Sequence, residues 1–189
     1  MPPMPPYRVI ALGDSLTYGF PFGKPMSWVS YTAQNLNTPI LNQGVNGNTL
    51  REMLLRLTVD VLDLKPEFCI LCGGTNDVYQ GIDPDLMNSN FKKMAERILE
   101  HKIRPIVALP APVEDEVFEK DLAKFRRWLK KYAKENDLPV IDFYSSFIDP
   151  KKKKVIASYF EDGVHPSSKG YQAMAKTATD VLKGVLKNS

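Results

Sequence analysis

Short apolar runs alternate with helical patterns along this chain, and that alternation restricts the fold more than any other feature. Five runs have the aliphatic and β-branched content of buried strands, at residues 8–12, 39–42, 68–72, 105–109 and 139–143. Each is followed by helical spacing. Val29, Thr32, Ala33 and Leu36 share one face of a segment over 27–36. Thr49-Leu50-Arg51-Glu52 spells a capping box ahead of Met53, Leu54, Leu57 and Val61. Asp83-Pro84 places an N-cap before a first-turn proline, followed by Met87, Phe91, Met94, Ala95 and Ile98. A fourth helix is expected over 116–135 and a last one from about Ser168. Strands and helices in strict alternation give a parallel sheet covered on both faces, because right-handed crossovers carry each helix back over it. The expected architecture is an α/β, flavodoxin-like three-layer α/β/α sandwich with a five-stranded parallel sheet.

In such a sheet every strand ends on the same rim, where the loops converge on a crevice. Four motifs occur at or after strand ends: GDSLTYG at 13–19, NQGVNGNT at 42–49, GGTND at 73–77 and EDGVHP at 161–166. Taken singly, each is an ordinary turn or helix cap. Together they bring a serine, glycine backbone, a side-chain amide, a carboxylate and an imidazole to one crevice, the set that acyl transfer requires. A serine hydroxyl is a weak nucleophile until a base takes its proton, and His165 is the histidine on this rim. Asp162, three residues earlier, can hold the other ring nitrogen and fix the tautomer. The N–H groups of Ser15 and Gly44 and the side-chain amide of Asn76 are candidate donors to an oxyanion. Asp14 is expected to hold the turn by backbone hydrogen bonds.

These four blocks resemble those of the SGNH (GDSL) hydrolase superfamily, close to its lysophospholipase and thioesterase-like branch. The resemblance spans residues 13–166. It implies Ser15 as nucleophile, Ser15, Gly44 and Asn76 as oxyanion donors, Asp162 and His165 as the rest of a triad, and no cofactor or metal. Neither the GxSxG elbow of α/β-hydrolases nor a P-loop or GxGxxG is present.

Composition agrees with a single soluble globular domain over 1–189, with residues 1–6 as a tail. Of the 189 residues, 43% are hydrophobic and 25% charged, and a formal charge of +3 is too small to imply nucleic acid as partner. The basic run Lys151 to Lys154 reads as a solvated loop, with docking to an anionic surface as the alternative. No stretch approaches the 18 or so apolar residues of a membrane span, and MPPMPPYRV lacks a signal-peptide core, so the expected compartment is the cytoplasm. Cys69 and Cys72 spell C-x-x-C, yet positions three apart in a strand point to opposite faces, so two buried thiols are expected rather than a metal or redox pair. His101 lies in a helix-end context, and two histidines in all assemble no zinc cluster.

The expected activity is serine esterase, on simple carboxyl esters, lysophospholipids, acyl thioesters or sugar O-acetyl groups. A non-catalytic flavodoxin-like binding domain is the competing class. The rim loops at 18–27, 78–83, 110–115 and 144–161 are too short for a separate lid. Their Phe20, Phe22, Met26, Tyr79, Phe147, Tyr159 and Phe160 could line a shallow groove for acyl chains of roughly two to eight carbons.

Overall fold

The computed structural model describes residues 7–187, so the expected tail at 1–6 lies outside the described residues. The chain runs β1 (Val9–Gly13), α1 (Ser15–Tyr18), α2 (Trp28–Leu36), β2 (Ile40–Gly44), α3 (Leu50–Asp60), β3 (Phe68–Cys72), α4 (Thr75–Tyr79), α5 (Pro84–Glu100), β4 (Arg104–Leu109), α6 (Glu116–Glu135), β5 (Val140–Asp142), α7 (Phe143–Ser146) and α8 (Ser168–Lys187). All strand pairs are parallel, in the order β2-β1-β3-β4-β5. This is the flavodoxin-like order, with the chain reversing direction across the sheet beside β1.

Alternation within each strand separates two cores. Ile10, Leu12, Cys69 and Leu71 face α3, α5 and α6, whereas Val9, Ala11, Ile70 and Cys72 face α2 and α8. The two cysteines are thus buried on opposite sides of β3. Helix α5 buries Met87, Phe91, Met94, Ala95 and Ile98, the face its periodicity predicts. Each large apolar side chain so buried contributes roughly 1.5–3 kcal/mol, and truncating Phe91 to alanine costs about 3–5 kcal/mol.

The helix starts follow the expected caps. Thr49 and Glu52 form the reciprocal capping box of α3. Asp83 accepts from Asp85 N at 2.8 Å ahead of Pro84 in α5. Strand boundaries other than those of β3 shift by one or two residues from the sequence reading, most clearly in β2 and β5. Strand β2 continues through Gln43 and Gly44, which pair in register with Leu12 and Gly13; on an edge strand the backbone ladder holds polar residues that carry no hydrophobic signal. Strand β5 stops at Asp142, whose carboxylate caps Ser145 N at 3.1 Å and turns Phe143 into the start of α7.

Candidate active site

Parallel register aligns the ends of β1, β2 and β3, since Gly13 pairs with both Gly44 and Cys72. The residues that follow these ends face one another. Asp14 caps α1 by accepting from Leu16 N at 2.9 Å, which sets Ser15 at the first helical position. An N–H at that position has no intrahelical acceptor, so it stays available to a ligand.

Ser15 Oγ lies 3.1 Å from His165 Nε2. On the other side of the ring, Nδ1 is 2.7 Å from Asp162 Oδ2. Asp162 Oδ1 also accepts from the backbone N–H of Val164 at 3.0 Å and of His165 at 2.7 Å. Gly163 makes this turn possible: its φ of +82° folds the chain back so that both following amides reach the one oxygen. Desolvation pushes the Asp162 carboxyl upward, but the hydrogen bonds from His165 and Val164 outweigh it and hold the group below the ordinary carboxylate range. An ionised Asp162 therefore faces the imidazole. The ring of Phe20 packs on His165 with centroids 4.6 Å apart, and the Phe20 carbonyl is fixed by the Tyr171 hydroxyl at 2.7 Å.

Asn76 stands in α4 with its Nδ2 donating to the carbonyl of Asn48 at 2.9 Å. One amide hydrogen is so engaged; the second remains for a ligand. Its neighbour Asp77 is buried and accepts from Leu50 N at 3.0 Å, tying the start of α3 to α4.

Gly44, expected as an oxyanion donor, is employed differently. Its N–H donates to Asn42 Oδ1 at 2.9 Å, because the short asparagine side chain reaches two residues forward. A Cβ at this position would lie 2.1 Å from Tyr18 N, so the glycine serves the close approach of β2 to α1. The other amides of the loop can be accounted for one by one. Val45 N bonds Gly13 O, Asn48 N bonds Val45 O, Thr49 N bonds Glu52 Oε2 and Leu50 N bonds Asp77. Among the described residues, this leaves the N–H groups of Asn46 and Gly47 without a protein acceptor.

A cavity of about 290 Å³ opens beside the serine and the imidazole, lined by Ser15, Leu16, Thr75, Asn76, Tyr79, Val164 and His165. Such an arrangement can activate a serine hydroxyl, hold a carbonyl carbon against it and stabilise negative charge on the carbonyl oxygen.

The model of the GDSL-like lipase/acylhydrolase family matches residues 11–173. The chain belongs to this family. It is accordingly a hydrolase acting on ester bonds, and the resemblance read from the four sequence blocks holds at the level of the family. A solved lipolytic protein of the G-D-S-L family from Desulfitobacterium hafniense DCB-2 superposes with a TM-score of 0.85 at 29% identity, covering 92% of this chain and 98% of that one. The acetylxylan esterase of Geobacillus stearothermophilus is 28% identical over 75% of this chain and 70% of its own length. Lipoprotein YqeF of Bacillus subtilis (strain 168) is 28% identical over 75% of this chain and 72% of its own.

Not every expected groove residue of this GDSL-like hydrolase adjoins the cavity. Tyr79 lines it, with its ring stacked on Phe118 at 4.1 Å, and Phe20 flanks the imidazole. Phe147 is fully buried and packs with Tyr159 and Phe160, so it closes the core instead. Leu16, Thr75 and Val164 also line the cavity but carried no sequence signal beyond their places inside the blocks. Lys151 to Lys154 are exposed on a turn that Asp149 caps through Lys151 N and Lys152 N. Among the described residues no cluster of His, Cys, Asp or Glu is placed to hold a metal ion, and no helix is long and apolar enough to cross a membrane.

Proposed function

We propose that this chain, acting as one domain, hydrolyses short acyl esters through an acyl-enzyme formed on Ser15. The observation that carries the reading is the unbroken line from Ser15 Oγ through His165 to Asp162, opening on a cavity of about 290 Å³. Ser15 Oγ attacks the ester carbonyl carbon while its proton passes to His165 Nε2, and the carbonyl π pair moves onto oxygen. Asp162 fixes the ring by Nδ1 and balances the imidazolium. The oxyanion is held by the N–H of Ser15 and the free hydrogen of Asn76 Nδ2, with the backbone of the 44–47 turn as the place of a third donor. Collapse expels the alcohol, which takes the proton back from His165. Water then repeats the sequence and frees the acid.

A second reading, sugar O-acetyl esterase, is supported by the likeness to the acetylxylan esterase and by a cavity small enough to suit an acetyl group. A panel of p-nitrophenyl esters of rising chain length, run beside an acetylated xylo-oligosaccharide, an acyl-CoA and a lysophospholipid, separates these substrates. Alongside it, a fluorophosphonate should add one label to the intact protein and none to Ser15→Ala. Labelling that survives the substitution rejects Ser15 as the nucleophile. For the compartment, two readings stand: cytoplasm, from the sequence, and an anchored or exported form, from the likeness to a lipoprotein. Fractionation of the producing cells decides between them.

A further inference from the structure

Charge on the inward side of a helix needs a reason, because a guanidinium taken from water is costly unless its donors are used. Arg56, on α3, is such a group, with a side chain only 19% exposed. Its neighbours along the inner face are Met53 and Leu57, both fully buried.

The donors of Arg56 reach three separate segments of the catalytic rim. Nη2 donates to the carbonyl of Gly13 at 2.7 Å, two residues before Ser15. Nη1 donates to the carbonyl of Gln43 at 3.0 Å, at the end of β2. Nε donates to Asn48 Oδ1 at 2.7 Å, and the backbone carbonyl of that same Asn48 receives Asn76 Nδ2 at 2.9 Å. Asp60, one turn along α3, pairs with Nη1 at 2.5 Å and anchors the guanidinium from behind.

We infer that Arg56 is a positioning residue for the oxyanion-binding groups: one planar guanidinium sets the spacing of the Ser15 turn, the 43–49 loop and the Asn76 amide. The inference rests on the proposed acyl-serine chemistry. Oxyanion donors act through preorganisation, so a donor displaced by a fraction of an ångström weakens the transition state more than it weakens ester binding. Arg56 touches neither Ser15 Oγ nor the His165–Asp162 pair, so its contribution is confined to the donor side of the site. Lysine cannot replace it, because a single ammonium lacks the fork that meets three oxygens in different directions.

The test compares Arg56→Ala and Arg56→Lys with Arg51→Ala, an exposed arginine on the same helix. On a short-chain p-nitrophenyl ester, Arg56→Ala should lose kcat by about 10²-fold with KM within about threefold, the scale of a misplaced catalytic group. The rate of fluorophosphonate labelling should fall in parallel, since the phosphonyl oxygen uses the same donors. Arg56→Lys should recover less than a tenth of the lost kcat, whereas millimolar guanidinium added to Arg56→Ala should restore activity in a saturable way. Arg51→Ala should match the wild type. Circular dichroism establishes that each variant is folded, and the lysine variant carries the comparison if the alanine one is not. A folded variant with unchanged kcat, or a loss confined to KM, overturns the role. Should the wild type neither take the label nor cleave any ester, the acyl-serine reading and this inference fall together; a wild type that does both, with unaffected Arg56 variants, overturns the inference alone.

Discussion

Asp162 grips His165 at two points, with Oδ1 on its backbone N–H at 2.7 Å and Oδ2 on its ring Nδ1 at 2.7 Å. The acid and the base are thus fixed to each other within one turn, and the ring cannot rotate away from Ser15 without breaking a charge-assisted bond. Asp162→Asn tests what the charge adds to this geometry. An amide can keep the backbone contact through its oxygen while its NH₂ faces Nδ1, which leaves the wrong tautomer toward Ser15. A fall in kcat of about 10³ to 10⁴, with a small change in KM, is expected. Steady-state kinetics on a p-nitrophenyl ester check it, and a loss below tenfold means that orientation alone suffices.

Asn76 gives one amide hydrogen to Asn48 and keeps the other for substrate. Asn76→Ala should lower kcat by about 10² to 10³ with KM nearly unchanged, because the amide is needed mainly once the oxyanion forms. A change in KM alone makes Asn76 a ground-state binding residue.

Buried acid under the nucleophile gives a pH signature in stability. Asp14 is raised from 3.8 to about 7 by burial first, opposed by its bond from Leu16 N–H, with the Asp77 carboxylate adding to the rise. Asp77 is itself raised to about 6, again by burial. A raised acid holds its proton more tightly in the folded than in the unfolded chain. Its contribution therefore favours the fold below about pH 4 and is lost as pH climbs through about 6 to 7. Asp14→Asn keeps an acceptor for Leu16 N–H but removes the titration. Urea unfolding across pH 4 to 8 should give the variant a shallower decline and a higher stability than the wild type at pH 8. Equal slopes contradict the assignment.

Tyr79, braced by Phe118, walls the cavity beside Ser15. Each methylene a groove can bury contributes about 0.8 kcal/mol, roughly a factor of four in kcat/KM. The wild type should prefer acyl chains of about two to eight carbons, given the cavity volume, and Tyr79→Ala should shift that optimum to longer chains. An ester series measured on both proteins checks this, and an unchanged optimum places the acyl group elsewhere.

The sequence made the sheet, its order of helices and the rim legible because strands and amphipathic helices leave periodic traces. Helices α1, α4 and α7 left none, since four or five residues are too few to show a period. At the site, Ser15, Asn76, Asp162 and His165 stood out by residue type and by their place at strand ends, and the structure brings them together. Gly44 shows where that reading stops. Its motif is plain in the sequence, but whether a backbone N–H is free depends on where Asn42 sends its side chain, which is a matter of rotamer and register. Arg56 was hidden for a related reason: within an amphipathic helix an arginine reads as solvent-facing, and only the packed rim reveals the oxygens it serves.

Strand β3 carries a consequence for how the molecule comes apart. Cys69 belongs to the layer beneath α3, α5 and α6, and Cys72 to the one beneath α2 and α8; burial pushes both thiols well above their ordinary range. Neither sulfur is a usable nucleophile while its layer is closed. Each is therefore a clock for one half of the sandwich, and the order in which an alkylating reagent marks the two positions records which side of the sheet sheds its helices first.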